Sequence, residues 1–281
     1  MEPLKPSDYS DLIRTALAED TPGGDVTTQH LFDAEDRGSA TLLAKAPGVI
    51  AGLPVFTAVF ATIDPDFRVE PRAADGDRVT PGQVIARLTG RIRTLLTGER
   101  VALNILQRCS GIATAAAHYV DAVRGLPVTI LDTRKTAPGL RALDKYAVRT
   151  GGARNHRMTL SDLAMIKDNH LRLAGGITAA VQRLRTRCPG LRIEVETETL
   201  AEVREALAAG ADIIMLDNMP LDRMRDAVAL IAGRCPVEAS GNVTLGTVRA
   251  IAETGVTHIS VGALTHSVQA LDISLKVDRP D

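Results

Sequence analysis

Ile130-Leu131-Asp132-Thr133-Arg134-Lys135-Thr136-Ala137-Pro138-Gly139 is an apolar run that stops in an acid and two adjacent cations before Pro-Gly opens a new periodic segment. A buried strand that delivers charge at its carboxyl end, just ahead of a helix, is how an α/β domain presents an anion site. Taken alone, the decapeptide reads equally well as a solvated basic turn. Repetition decides between the two. Short apolar runs at 128–131, 163–166, 191–195, 212–216, 237–239 and 258–261 alternate with helical spacing at 140–148, 177–187, 200–209, 221–232 and 245–253. This alternation predicts a parallel sheet with right-handed crossovers. The runs suit an incomplete (β/α) barrel or an open doubly wound sheet. No G-x-G-x-x-G follows any of them, which favours the barrel.

The residues at the ends of these runs differ each time. They are Asp132, Arg134 and Lys135, then Lys167 and Asp168, then Glu196, then Asp217 and Asn218, then Ser240-Gly241, and last Gly262-Ala263 with His266 close behind. A barrel brings all such ends to one rim, where cations, carboxylates and small-residue turns converge. The turns at Ser240-Gly241-Asn242 and Val261-Gly262-Ala263 stand where barrels commonly hold a phosphate on backbone N–H groups. Gly151-Gly-Ala-Arg154-Asn-His156-Arg157 adds further cations before the second run. So cationic a pocket requires multiply anionic ligands, because unpaired buried charge is costly. Glu196 and Asp217 then form an opposing acidic wall suited to Mg²⁺, sugar hydroxyls or a developing positive charge.

Composition narrows the alternatives. With 281 residues the chain can bury a large core in one or two domains. Aromatics make up only 2% and Trp is absent, so packing rests on Ala, Val, Leu and Ile, as in helices laid on a parallel sheet. A formal charge of −1 provides no field for nucleic acid. Cys109, Cys188 and Cys235 include no C-x-x-C pair and read as buried free thiols in a reducing compartment. The opening Met1-Glu-Pro-Leu-Lys-Pro6 has no apolar core like that of a signal peptide, and no uncharged run would span a bilayer. A cytoplasmic location and no membrane partner are therefore expected.

The earlier part of the chain reads as a helix over 8–18, an acidic turn over 19–28, strands near 40–44, 49–51, 67–71 and 84–88, and a helix over 54–62. The acidic turn suits capping better than cation binding. Residues 74–88 have the pattern of half a biotinyl-carrier repeat but no exposed lysine tip, which leaves a scaffold role. A long helix follows from residue 97 to about 119, with Gly111 a position that allows a break or kink. It is apolar nearly all round except for Arg100, Asn104, Gln107 and Ser110 along one face, a stripe that needs polar partners within the fold, from a ligand or from a second subunit.

Several long segments resemble quinolinate phosphoribosyltransferases: 99–114, 132–141, 145–149, 155–158, 166–170, 194–196, 214–218 and 259–267, with Gly24-Asp25-Val-Thr-Thr28 as an early match. The resemblance implies an N-terminal α/β sandwich over 1–112, with the tail 268–281 packing back on it, and an incomplete (open) α/β barrel over 113–267. It also implies a homodimer with shared active sites, or a hexamer, in which Arg100 reaches the neighbour's barrel. The implied reaction joins quinolinate to 5-phosphoribosyl-1-pyrophosphate with Mg²⁺, giving nicotinate mononucleotide, pyrophosphate and CO₂. By the same resemblance, Arg134, His156, Arg157, Lys167 and the partner's Arg100 would cage quinolinate, while Lys135 and His266 would face pyrophosphate. Ser240, Gly241 and Gly262 would hold the 5-phosphate, and Glu196 and Asp217 the ribose and its Mg²⁺. Asn242 departs from a frequent family glycine, as do Ala153 and Thr159. Rival readings are the molybdenum-locus pyrophosphorylase-like branch and a Schiff-base barrel aldolase using Lys167. His30, His118 and His258 read as surface or satisfied core residues.

Overall fold

The computed structural model describes residues 3–278. Residues 1–2 and 279–281, which belong to the expected outer segments 1–112 and 268–281, lie outside the described residues. The strands are β1 (Arg37–Ala44), β2 (Gly48–Val49), β3 (Arg68–Pro71), β4 (Arg78–Val79), β5 (Val84–Arg91), β6 (Thr129–Leu131), β7 (Ala164–Ile166), β8 (Ile193–Thr197), β9 (Ile213–Asp217), β10 (Val237–Ser240), β11 (His258–Ser260) and β12 (Ile273–Val277). The helices are α1 (Ser10–Asp20), α2 (Val26–Leu31), α3 (Leu53–Ile63), α4 (Ile92–Ala122), α5 (Arg141–Thr150), α6 (Asp168–Ala174), α7 (Ile177–Arg187), α8 (Leu200–Ala209), α9 (Leu221–Ile231), α10 (Val248–Ala252) and α11 (Ala263–His266). Among the described residues two compact units result, one of residues 3–117, 136–152 and 267–278, the other of 118–135 and 153–266.

The first unit is built on an antiparallel sheet in the order β12-β1-β5-β3. β1 alternates, burying Ala40, Leu42 and Ala44, while its neighbour β5 buries Ile85, Ala86 and Leu88. Phe60 stacks on Phe67 at 4.8 Å, and a Cβ on Gly90 would lie 2.2 Å from Phe67, so this close approach requires glycine. The acidic turn ends in a cap: Asp25 Oδ1 accepts from Thr28 N at 3.0 Å and starts α2. α4 runs unbroken through Gly111, so the break or kink that this glycine allows is not made. A Cβ on Gly111 would lie 2.1 Å from the Gln269 carbonyl oxygen, so the glycine admits a crossing chain. Half of the polar stripe is satisfied within this unit: Gln107 Nε2 donates to Ile273 O at 2.7 Å, and Ser110 Oγ accepts from Ala51 N at 3.1 Å. Of the three cysteines only Cys109 is buried, and Cys188 is exposed, which corrects the reading of all three as interior thiols.

The second unit contains six parallel strands in the order β6-β11-β10-β9-β8-β7. The order is that of a barrel opened between β6 and β7, an incomplete α/β barrel. Its strands are buried almost continuously, with Val195, Ile214, Leu216, Ala239 and Ile259 fully shielded, because helices cover one face and the strands enclose the other. Along the free edge of β6, Arg154 N donates to Ile130 O at 2.9 Å and Asp132 N to Arg154 O at 3.1 Å. This edge contact sets the residues that follow at the barrel mouth.

Candidate active site

The carboxyl ends of the strands open into a cavity of about 820 Å³ within the second unit. Eleven of the twelve expected site residues line it: Arg134, Lys135, His156, Arg157, Lys167, Glu196, Asp217, Ser240, Gly241, Gly262 and His266. Arg100 does not; it is exposed and lines a separate groove of the first unit with Asn104 and Ile105.

Asp132 has a different task from the one its position at a strand tip suggests. It is fully buried, and its carboxylate accepts from Asn155 Nδ2 at 2.6 Å and from His156 N at 2.8 Å. It therefore anchors the segment that carries His156 and Arg157. The Arg157 guanidinium is then fixed from the side by Nη1 donating to Leu163 O at 3.0 Å. Burial, and the neighbouring Arg134 guanidinium, hold Arg157 below the usual arginine range. Arg134 Nε is buried and makes no hydrogen bond. Two close guanidiniums with donors to spare leave the wall one anion short of balance.

Lys167 Nζ lies 2.5 Å from Glu196 Oε2, so these groups are direct partners, and the expected separation of cations from an acidic wall does not hold at this point. Glu196 and Asp217 end the adjacent strands β8 and β9 and offer hard carboxylate oxygens, a donor set that fits Mg²⁺ held jointly with water and phosphate. At the turn after β11, a Cβ on Gly262 would lie 3.0 Å from His266 Cδ2 and 3.3 Å from Lys135 Cδ, so both side chains lie against this turn. A Cβ there would require those two side chains to give by a few tenths of an ångström.

Beneath the cavity stands a group that the strand patterns concealed. His156 Nε2 is 3.1 Å from Glu194 Oε2 and 3.3 Å from Glu238 Oε2, and both glutamates are buried. Glu194 Oε1 and Oε2 and Glu238 Oε1 make no hydrogen bond of good geometry. Burial pushes the Glu194 carboxyl up. Burial opposes a charged His156, but the two glutamates outweigh it and raise the ring to about 9. Arg157 N donates to His156 Nδ1 at 2.7 Å, so the retained proton is shared among Nε2 and the carboxylates. The trio has the residue types and spacing of a metal-ligand set as well. Its sequence signal was an acid in the middle of runs read as apolar strands, Glu194 in 191–195 and Glu238 in 237–239. The other histidines are as expected: His30 Nδ1 pairs with Val26 O and His258 Nδ1 with Thr257 Oγ1, at 2.6 and 2.8 Å.

The chain matches the family described as quinolinate phosphoribosyl transferase, N-terminal domain, over residues 25–110 and C-terminal domain over 112–276. The chain belongs to the quinolinate phosphoribosyl transferase family. A Synechocystis relative, named a probable nicotinate-nucleotide pyrophosphorylase [carboxylating], is 50% identical over 94% of this chain and 90% of its own length. The chloroplastic nicotinate-nucleotide pyrophosphorylase of Arabidopsis thaliana is 48% identical over 96% of this chain and 83% of its own. Among solved structures, NadC from Streptococcus pyogenes superposes with a TM-score of 0.96 at 43% identity and full coverage of both chains. The Francisella tularensis nicotinate-nucleotide pyrophosphorylase gives 0.95 at 37% identity over 98% of each. Likeness on this scale extends the family assignment to both units.

Proposed function

We infer that this chain transfers the phosphoribosyl group of 5-phosphoribosyl-1-pyrophosphate to quinolinate and releases CO₂, forming nicotinate mononucleotide for NAD biosynthesis. The observation that carries the reading is the Arg134–Arg157 wall, where a buried guanidinium nitrogen has no protein partner. A dicarboxylate completes that wall, and Arg forks match carboxylates in plane. His156 adds to the wall with its Nε2 already committed to Glu194 and Glu238. Ser240, Gly241 and Gly262 cradle the 5-phosphate, and Lys135 with His266 faces the pyrophosphate. As the C1–O bond breaks, its electron pair leaves with pyrophosphate, and Glu196 and Asp217 stabilise the positive charge on the ribose. The pyridine nitrogen closes on C1. The quaternised ring then accepts the electron pair of the breaking C2–carboxylate bond, CO₂ departs and C2 takes up a proton. Glu196 and Asp217 would hold Mg²⁺, which would supply charge neutralisation at the pyrophosphate.

Lys167 is held by Glu196 amid charged groups, unlike an aldolase amine in an apolar pocket, and the Schiff-base reading has no support here. Among the described residues no helix is long and apolar enough to cross a membrane. The polar residues Arg100 and Asn104, exposed on α4, support a homodimer in which each Arg100 completes the partner's cavity. Mixing Arg100→Ala with Lys135→Ala subunits should then recover activity, and no recovery would refute the shared site. The acceptor provides the test of function. A site built for two carboxylates should prefer quinolinate over nicotinate on the order of 10⁴-fold in kcat/KM, and comparable turnover of nicotinate would overturn the reading.

A further inference from the structure

Among the described residues, three that are not glycine have a left-handed backbone: Asn218 (φ 52°), Asn242 (φ 50°) and Ala232 (φ 50°). Ala232 ends α9, where such a conformation is ordinary. The two asparagines both line the cavity, at the ends of neighbouring strands β9 and β10. Asparagine tolerates this conformation better than other residues with a side chain, yet glycine tolerates it best. The presence of two amides here, where glycine would be less strained, points to work done by the side chains.

Their hydrogen bonds run in one direction. Asn242 Nδ2 donates to Asn218 Oδ1 at 2.9 Å, and Asn218 Nδ2 donates to Asp217 Oδ2 at 3.0 Å. Asn218 N also donates to Ser240 O at 2.9 Å, pinning this residue to the phosphate turn. A Cβ on Gly241 would lie 2.3 Å from Asn218 Oδ1, so the turn rests directly on that amide. One side chain thus touches both the Ser240–Asn242 backbone and the carboxylate of Asp217.

We propose that Asn218 and Asn242 form an amide clamp that fixes the distance between the Ser240–Gly241 phosphate turn and Asp217, and so position the phosphorylated pentose donor between its two ends. The proposal rests on the donor assignment made above. Asn218 and Asn242 are positioning residues: they act through Asp217 and the turn. A five-carbon sugar phosphate spans a set distance from its 5-phosphate to its hydroxyls, and slack between the two anchors weakens its binding before it weakens that of the planar acceptor.

Asn218→Gly and Asn242→Gly are suitable variants, because glycine keeps the left-handed backbone and removes only the amide. Loss of a hydrogen bond to a carboxylate should raise KM for 5-phosphoribosyl-1-pyrophosphate roughly 10- to 100-fold in Asn218→Gly. Asn242→Gly, which loses only a neutral bond, should raise it roughly 3- to 10-fold. KM for quinolinate should stay within about threefold in both, and the Asn242→Gly melting temperature should not fall, since glycine suits φ 50°. Nicotinate mononucleotide affinity by calorimetry should weaken in the same order. Unchanged donor KM and nucleotide affinity would overturn the clamp, as would equal rises for both substrates. Parent protein that binds the nucleotide but never converts quinolinate would overturn the proposed function instead, leaving the clamp to be judged on nucleotide affinity.

Discussion

Buried charge is used in opposite ways at two places in the molecule. In the first, Arg108 Nε and Nη2 each donate to the fully buried Asp144 carboxylate at 2.9 Å, and Ala137 N donates to the same group at 3.2 Å. Every oxygen there is satisfied within the unit. In the second, Arg134 Nε, Glu194 Oε1 and Glu238 Oε1 are buried without a hydrogen bond, and Glu194 Oε2 has only the charged contact with His156 Nε2 at 3.1 Å. Complete pairing contributes stability; incomplete pairing is a cost that a ligand can offset.

Breaking each region should therefore have opposite consequences. Asp144→Ala leaves Arg108 without its partner and should lower unfolding free energy by about 3–5 kcal/mol in a urea titration. A loss below about 1 kcal/mol would show that the closed pair is ornamental. Arg134→Ala should leave stability within about 1 kcal/mol, since the arginine has no buried partner to lose. Its kcat/KM for quinolinate should nonetheless fall roughly 30- to 1,000-fold. Equal loss of stability in the two variants would erase the distinction.

A smaller effect is expected with pH. His156 is raised from 6.5 to about 9 in the folded chain, and burial raises Glu194 as well. In both cases the folded state keeps a proton that the unfolded chain releases. The stabilisation from His156 is thus complete below pH 6.5 and is lost as pH climbs through about 9. The urea midpoint should decline across that window, and the decline should shrink in Glu238→Gln. A midpoint that is flat or rises from neutral to alkaline pH would contradict the shared proton.

Much of this arrangement was legible in the chain. Period and punctuation marked all six strands of the parallel sheet, because a strand covered on both faces must be apolar throughout. The strand ends were legible for the same reason: Lys167, Glu196 and Asp217 break their runs abruptly. β12 was not seen, since Ile273-Ser-Leu-Lys-Val277 is an edge strand whose only reason to be extended is its pairing with β1 far away in sequence. The helix α6 was hidden in a charged stretch with no buried face. Glu194 and Glu238 were masked by their apolar neighbours, and no local pattern reveals that two acids on separate strands meet one histidine. Asn242 was visible as a departure from glycine, but its partner Asn218 emerges only when the strand ends lie side by side.

The most direct test of the central claim follows two products at once, measuring labelled CO₂ from quinolinate carrying its label in the C2 carboxylate and pyrophosphate from the ribosyl donor. The account predicts equal amounts of each, dependent on both substrates and lost together in Arg134→Ala. Pyrophosphate without CO₂, or CO₂ without the ribosyl donor, would contradict it.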